Sequence, residues 1–214
     1  MIRILIADDH FIVRAGLQKI FAEIEDMEIV DEAVDGHQAI EKSSQYNPDV
    51  MLLDISMPGP DWIDVLKTIK QANPKLPILI LSVYPEQQYA VRAIRSGASG
   101  YLTKDKAHDE LITAIRRAAA GGRYISTGLA EQLADLLELK NGLLPHETLS
   151  DREFSVMIML AKGLSPTEIA RQLCLSPKTV STYRSRILEK MKMSGNAQLI
   201  HYAIKHNLVE NESL

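Results

Sequence analysis

Five side chains with complementary chemistry lie at or near the ends of short apolar runs in the first half of the chain. Asp8 and Asp9 follow RILIA, Asp54 follows DVMLL, Ser82 lies in PILILSV and Lys104 follows SGYLT. Adjacent carboxylates repel each other unless a cation binds between them. Clustered carboxylates favour a hard cation such as Mg²⁺, while a hydroxyl and an ammonium group can bind phosphoryl oxygens. The set therefore predicts a phosphoryl-transfer site with an aspartate nucleophile.

The elements that would bring these residues together alternate regularly over residues 1–120. Five apolar runs, RILIA, EIVDEAV, DVMLLD, PILILSV and SGYLT, each precede an amphipathic stretch with helical spacing. Continuous apolar strands joined by helices indicate a parallel sheet covered on both faces. The carboxyl ends of the strands then meet at one edge of the sheet, where function gathers in this fold class. We expect an α/β fold with a five-stranded, doubly wound parallel sheet.

A glycine pair, Gly121–Gly122, separates this pattern from a helical second half. Residues 121–147 form a linker with a candidate helix, LAEQLADLLELK, before the loop-like NGLLPHET. Four helical stretches follow, and the last of them is NAQLIHYAIKHNL. Serine caps mark the other three starts: Ser150 with Glu153, Ser165 with Glu168, and Ser176. Residues 148–214 are therefore predicted to form a small all-α domain.

Charge differs between the two halves. Residues 1–120 hold 13 Lys/Arg against 18 Asp/Glu, whereas residues 146–214 hold 9 against 7. The stretch KTVSTYRSRILEKMK holds five basic residues and one acid. Its apolar positions can face a core while its cations and hydroxyls face outward, as a helix in the major groove of DNA requires. A solvated, charged surface helix is the alternative explanation of this pattern.

Bulk composition excludes several protein classes. Hydrophobic residues make up 46% of the chain, but no apolar run approaches the roughly 20 residues of a membrane span. The first residues show no signal-peptide pattern. Cys174 is the single cysteine, which excludes an internal disulfide and suits a reducing cytoplasm. Its apolar setting, ARQLCL, predicts a core position.

The first 120 residues resemble the receiver domain of bacterial two-component response regulators. The motifs IADDH, LLDISMPG, ILSV and GYLTK carry this resemblance together. It implies a flavodoxin-like fold and phosphorylation by a sensor histidine kinase. By the same resemblance Asp54 is the phosphoacceptor, Asp9, Asp54 and the Ser56 carbonyl bind Mg²⁺, Asp8 acts through a bound water, Ser82 and Lys104 contact the phosphoryl group, and Tyr101 is the aromatic that follows Ser82.

Two positions near this site depart from the simplest expectation. Trp62 stands in MPGPDW where the family usually has glycine, and Pro60 stiffens the same loop. The loop could sit differently, Trp62 could cover the site and slow phosphoryl loss, or Trp62 could be a surface residue in a tolerant loop.

His10 could bind metal or carry a phosphoryl group, but we expect a solvent-facing histidine at a helix start.

The segment from residue 148 to about 210 resembles the LuxR-type helix-turn-helix of NarL/FixJ response regulators. LSDREFSVMIMLAKGLSPTEIARQLCLSPKTVSTYRSRILEKM carries the resemblance, which makes helix 177–191 the recognition helix. Asn196 and Gln198 then belong to the part that pairs two such domains on DNA. The candidate DNA contacts are Ser181, Thr182 and Ser185 for bases, Lys178, Thr179, Tyr183, Arg184 and Arg186 for phosphates, and the outward-facing Lys190.

Taken together, these patterns predict a cytoplasmic transcription factor without a membrane segment. It would be phosphorylated by a kinase, form a homodimer, bind double-stranded DNA, and have no separate substrate of its own. A haloacid-dehalogenase-like phosphatase is one alternative, but its D-x-D pair is absent because Ile55 and Ser56 follow Asp54. A regulator that ignores phosphate is the other alternative, which the complete acidic set disfavours.

Overall fold

A computed structural model of the chain describes residues 1–105, 108–138, 144–173, 175–206 and 208–209. Two compact units make up the chain, Met1–Ala130 and Glu131–Leu214. Within the described residues, none of the helices combines the length and hydropathy of a membrane span. Cys174, which the sequence assigns to the core, lies outside the described residues.

The first unit is built on one parallel sheet, which confirms the predicted α/β class. Its described strands are ordered β2-β1-β3-β4-β5, the order of flavodoxin-like doubly wound folds. The strands are β1 (Ile2–Ala7), β2 (Met27–Ala33), β3 (Val50–Leu53), β4 (Ile78–Ser82) and β5 (Gly100–Thr103). The helices are α1 (Phe11–Ala22), α2 (Gly36–Gln45), α3 (Trp62–Ala72), α4 (Glu86–Arg95), α5 (His108–Ala119) and the start of α6 (Thr127–Glu138).

Buried central strands fix the position of the acidic residues. All four residues of β3 and all five of β4 are buried, as two-sided coverage by helices requires. One face of the sheet packs against apolar side chains of α1 and α5. In the register of β1 and β3, Ala7 pairs with Leu53. The next residue on each strand is an aspartate, so Asp8 and Asp54 leave the sheet side by side.

The second unit is helical, as predicted. It contains α7 (Asp151–Ala161), α8 (Pro166–Gln172), α9 (Pro177–Lys190) and α10 (Asn196–Lys205). Both predicted capping boxes form, because the hydroxyl of Ser150 accepts a hydrogen bond from the Glu153 amide and that of Ser165 from the Glu168 amide. A 3₁₀ helix covers Pro145–Thr148, where the sequence predicts loop.

The start of α6 also differs from the sequence prediction. We predicted that the helix begins at Leu129, whereas it begins at Thr127. The reason is a capping residue that the apolar spacing does not reveal. The Ser126 hydroxyl accepts a hydrogen bond from the Leu129 amide at 3.0 Å, which satisfies one of the free amides of the first turn.

Candidate functional site

Two buried carboxylates lie where β1 and β3 end. Asp8 and Asp54 are each only 1% exposed. The Asp54 amide donates to the Ala7 carbonyl at 2.8 Å, which continues the pairing of the two strands beyond the last sheet pair. This bond holds both side chains at the carboxyl edge of the sheet, at the point between β1 and β3 where the strand order reverses.

Lys104 joins the two carboxylates. Its ammonium nitrogen lies 2.6 Å from Asp8 Oδ2 and 2.9 Å from Asp54 Oδ2. The Lys104 amide donates to the Ser82 carbonyl at 2.7 Å, which fixes the lysine beside the end of β4. One ammonium group therefore faces two buried carboxyl groups.

Burial and charge act in opposite directions on these groups. Burial raises the pKa of Asp54 and outweighs the hydrogen bond and charge of Lys104, which lower it. For Lys104, burial alone lowers the pKa, but contact with Asp8 and Asp54 outweighs burial and leaves the pKa raised. The lysine is thus held protonated, whereas the ionised form of Asp54 is destabilised until a further cation balances it.

Asp9 and His10 form the exposed rim of the cluster. His10 Nδ1 lies 2.8 Å from Asp9 Oδ1 and 3.3 Å from Asp8 Oδ1. The His10 side chain is 58% exposed and precedes the first residue of α1, so it is a solvent-facing histidine at a helix start. It also lies close enough to the carboxylates to share a cation with them, the metal-binding alternative that the sequence left open for this histidine.

The cluster fits a hard divalent cation. Ligand atoms of Asp8, Asp9, His10 and Asp54 all lie within 4.8 Å of one another. Asp8 Oδ2 is buried and, although the Lys104 ammonium lies beside it, lacks a well-oriented hydrogen bond in the described part of the chain. The Ser56 amide donates to Asp54 Oδ1 at 3.2 Å, which brings the main chain of that loop to the site. A set dominated by carboxylate oxygens is the kind that Mg²⁺ prefers.

Ser82 and Tyr101 meet at the loop after β4. Ser82 is fully buried, and its hydroxyl accepts a hydrogen bond from the Tyr84 amide at 3.0 Å. Tyr101, 1% exposed, donates its hydroxyl to the Tyr84 carbonyl at 2.9 Å. Burial raises the pKa of Tyr101, so the hydroxyl keeps its proton. Both side chains therefore hold the same residue, Tyr84, in the loop that follows β4.

Trp62 is a buried residue, so its interpretation as a surface tryptophan is wrong. It is the first residue of α3 and is 7% exposed. Its ring meets that of Tyr89 edge-on, with centroids 6.1 Å apart, and Tyr89 lies 5.4 Å from Tyr84. The large ring is tolerated because α4 supplies an aromatic surface for it, which a motif comparison in one dimension cannot show.

Helix α9 presents a polar face with hydroxyl groups along it. Val180 and Ile187 are buried, whereas Ser181, Thr182 and Ser185 are exposed. Each of these three hydroxyls donates to the carbonyl four residues earlier, at 3.0, 3.1 and 3.2 Å respectively. A shallow surface concavity is lined by Ser176, Lys178, Thr179, Thr182, Tyr183 and Arg186.

Two of the predicted basic DNA contacts form side-chain contacts with other helices of their own unit. The Lys190 ammonium lies 2.6 Å from Glu153 Oε2, and Glu153 is 3% exposed. Arg184 Nε donates to Asn196 Oδ1 at 2.7 Å. The sequence pattern identified Glu153 only as a capping residue. The capping-box motif gives no indication that Glu153 also lies on the face of α7 that packs against α9.

Comparison with known proteins agrees with this geometry. Residues 4–116 match the family model described as the response regulator receiver domain, and residues 147–203 match the bacterial regulatory proteins of the luxR family. The response regulator UvrY of Escherichia coli K12 is 38% identical over 215 residues, covering 100% of this chain and 99% of that protein. The response regulator GacA of Pseudomonas aeruginosa is 35% identical, covering 100% of both.

A solved structure supports the same assignment. RcsB from Salmonella enterica serovar Typhimurium, bound to promoter P1flhDC in the presence of the phosphomimetic BeF₃⁻, has a TM-score of 0.68 and 28% identity. The match covers 95% of this chain and 98% of that one. The chain belongs to the NarL/FixJ family of two-component response regulators, with a receiver domain followed by a LuxR-type DNA-binding domain.

Proposed function

We propose that Asp54 accepts a phosphoryl group from a sensor histidine kinase and that this step controls transcription through α9. The observation that carries the proposal is a buried aspartate joined to a second buried carboxylate by a lysine, at the edge where the strand order reverses. Burial raises the pKa of the Asp54 carboxyl, and phosphorylation converts that carboxylate into an acyl phosphate.

In the transfer, an Asp54 carboxylate oxygen attacks the phosphorus of a phosphohistidine on the kinase. The new P–O bond forms as the P–N bond breaks, and the electron pair returns to the imidazole. Lys104 then contacts one phosphoryl oxygen and Ser82 another. Asp8, Asp9, Asp54 and the main-chain carbonyl of Ser56 are the groups that would hold Mg²⁺, which when bound neutralises charge on the phosphoryl oxygens.

For the second unit, we propose that α9 enters the major groove of double-stranded DNA. The proposed base contacts are Ser181, Thr182 and Ser185, and the proposed phosphate contacts are Lys178, Thr179, Tyr183, Arg184 and Arg186. Lys190 is a further proposed DNA contact. The exposed hydroxyls and flanking cations of α9 support this assignment. RcsB, a homologue of similar fold, is bound to a promoter in its solved structure.

The proposed organisation assigns residues 1–120 to the receiver, 121–147 to the linker and 148–214 to the DNA-binding domain. We propose that phosphorylation produces a homodimer that binds paired half-sites in the cytoplasm, as symmetric recognition of DNA by helix-turn-helix domains requires. Beyond phosphoryl acceptance and slow hydrolysis of the product, no separate catalytic activity is proposed.

DNA binding with a phosphoryl mimic tests the proposal. Duplexes are first selected from a random library with the native protein in Mg²⁺ and beryllofluoride, and one is labelled. We expect beryllofluoride to tighten binding at least about tenfold, a change of 1.4 kcal/mol, for the native protein and not for Asp54→Asn. Equal affinities for native and Asp54→Asn under all conditions would show that the acidic site does not control DNA binding.

A further inference from the structure

A short segment after α5 returns to the sheet and covers its open edge. Helix α5 ends at Ala119, and Gly121 follows it with a φ of +82°, a conformation that favours glycine after a helix. The Tyr124 amide then donates to the Ser99 carbonyl at 2.7 Å, and Tyr124 forms a parallel bridge with Gly100 of β5. We call residues 122–130 the strap, because Tyr124 attaches this segment to the outer side of β5.

Side chains attach the strap to the helices on both sides of β5. The Tyr124 hydroxyl hydrogen-bonds Glu110 Oε1 of α5, and the Ser126 hydroxyl hydrogen-bonds Glu86 Oε1 of α4. Leu129, at the far end, is fully buried. These contacts join α4, β5 and α5 to a segment that includes the first turn of α6.

Glycine at position 100 is a requirement of this close approach. A Cβ there would lie 2.8 Å from the Tyr124 carbonyl oxygen and 3.0 Å from the Tyr124 Cβ. Contacts that short do not occur between real side chains and backbone, so the main chain of the strap would have to move. The close packing of the strap against β5 therefore depends on glycine at position 100.

The strap contacts lie next in the chain to residues that hold the loop after β4. Gly100 precedes Tyr101, and Glu86 follows Tyr84 by two residues, across Pro85. Tyr84 is held by both Ser82 and Tyr101, as described above. A movement of Tyr84 therefore displaces Glu86 at the start of α4, and Glu86 is the residue that binds Ser126.

We propose that the strap carries the state of the acidic pocket to the linker, with Ser126 and Glu86 as the contact that breaks. This proposal rests on the proposed function of Asp54. When the Ser82 hydroxyl turns to a phosphoryl oxygen on Asp54, the Tyr84 segment moves with it and Glu86 leaves Ser126. The strap then loosens from β5, which frees the start of α6 and uncovers the sheet edge.

Position 126 allows a matched pair of variants. Asparagine and aspartate cap a helix about equally well, so Ser126→Asn and Ser126→Asp both keep the start of α6. The asparagine amide can still donate to Glu86, whereas the aspartate repels it. Ser126→Asp should therefore open the strap without phosphorylation, and Ser126→Asn should leave it closed. In the double variant Glu86→Gln with Ser126→Asp, the glutamine amide donates to the aspartate and should restore the closed strap.

Hydrogen exchange of the Tyr124 amide reports the strap directly, and DNA affinity reports its effect. In the full-length native protein with Mg²⁺, we expect beryllofluoride to speed exchange of this amide by about tenfold, equivalent to losing one charge-assisted hydrogen bond. Ser126→Asp should show the fast exchange without beryllofluoride and bind the selected duplex about as tightly as activated native protein. Both properties should return to the resting values in the double variant.

Two results would overturn the proposal while leaving the function of Asp54 intact. One is that beryllofluoride tightens DNA binding by the native protein while the Tyr124 amide exchanges at an unchanged rate. The other is that Ser126→Asp exchanges fast at Tyr124 yet binds DNA as Ser126→Asn does. Failure of the proposed function itself looks different, because beryllofluoride would then leave the DNA affinity of the native protein unchanged.

Discussion

Removing the Lys190 ammonium should destabilise the DNA-binding unit, although the residue lies on the helix proposed to enter DNA. The Glu153 carboxylate is 3% exposed and accepts hydrogen bonds from Lys190 at 2.6 Å and from the Ser150 amide at 2.8 Å. In Lys190→Met the carboxylate keeps the amide but loses its counter-charge. The variant therefore leaves a buried carboxylate that has lost its charged partner.

The size of the loss follows from the exposure of the two partners. A hydrogen bond to a charged group contributes about 1.5–3 kcal/mol, whereas an exposed ion pair contributes about 0–1 kcal/mol. The Lys190 side chain is 43% exposed and its partner 4%, so the pair falls between these cases. We expect Lys190→Met to lower the free energy of unfolding of this unit by about 1–2 kcal/mol.

The effect should depend on pH. Burial alone raises the pKa of Glu153, but the hydrogen bonds from Lys190 and Ser150 outweigh it, and the pKa lies below its ordinary value of 4.5. The pair therefore contributes its full stability above that ordinary value and loses it as the pH falls through the lowered pKa. The difference in the free energy of unfolding between the native protein and Lys190→Met should be largest at pH 7 and should disappear in stronger acid.

Urea unfolding of the full chain measures the effect. The fluorescence of Trp62, the single tryptophan, follows the receiver, and far-UV circular dichroism follows both units, so the second transition can be separated. Lys178→Met is the matched control, because it removes an exposed lysine from the first turn of the same helix. If Lys190→Met unfolds at the same urea concentration as Lys178→Met at pH 7, the reasoning is refuted.

Three further predictions concern the receiver and the DNA interface. In EDTA, Asp54→Asn should stabilise the receiver by about 1–2 kcal/mol, because the cost of burying the carboxylate exceeds its attraction to Lys104; Trp62 fluorescence in urea measures this, and a lower midpoint would contradict it. Trp62→Ala should cost roughly 3 kcal/mol, since the ring is 7% exposed, and an unchanged midpoint by circular dichroism would count against that packing. Lys178→Ala should reduce the slope of log affinity against log salt by about one, whereas the uncharged change Ser181→Ala should leave the slope unchanged in anisotropy titrations.

The sequence could predict that the residues of the acidic site lie at the ends of strands. Asp8, Asp54 and Lys104 each follow an apolar run, and parallel strands bring such ends to one edge. Exposure could not be predicted in this way. Asp8 is buried and Asp9 lies on the rim, although the two are neighbours in the chain, because alternate residues at a strand end point in different directions.

Contacts between distant segments were the part that could not be predicted. The break at Gly121–Gly122 was visible in the sequence, but its consequence, a strap that pairs with β5, depends on a bridge between Gly100 and Tyr124. Similarly, a capping box identifies Glu153 as a helix-start residue, while its partner Lys190 is 37 residues away. Local sequence patterns predict hydrogen bonds between neighbouring residues. Contacts between residues far apart in the chain depend on how the helices and strands pack against one another.

The hydroxyl protons of α9 have a consequence for what the helix can recognise. A hydroxyl has one proton to donate, and in Ser181, Thr182 and Ser185 that proton is bound to the helix's own backbone. Toward solvent, these side chains therefore present only oxygen lone pairs, which accept hydrogen bonds. Such a surface matches the amino groups of adenine and cytosine, or water bridging to other edges, and is mismatched to guanine O6 and N7. We therefore expect the cations that flank these residues on α9 to make any contacts to guanine. The three hydroxyl oxygens should instead accept hydrogen bonds from bases that present a donor in the major groove.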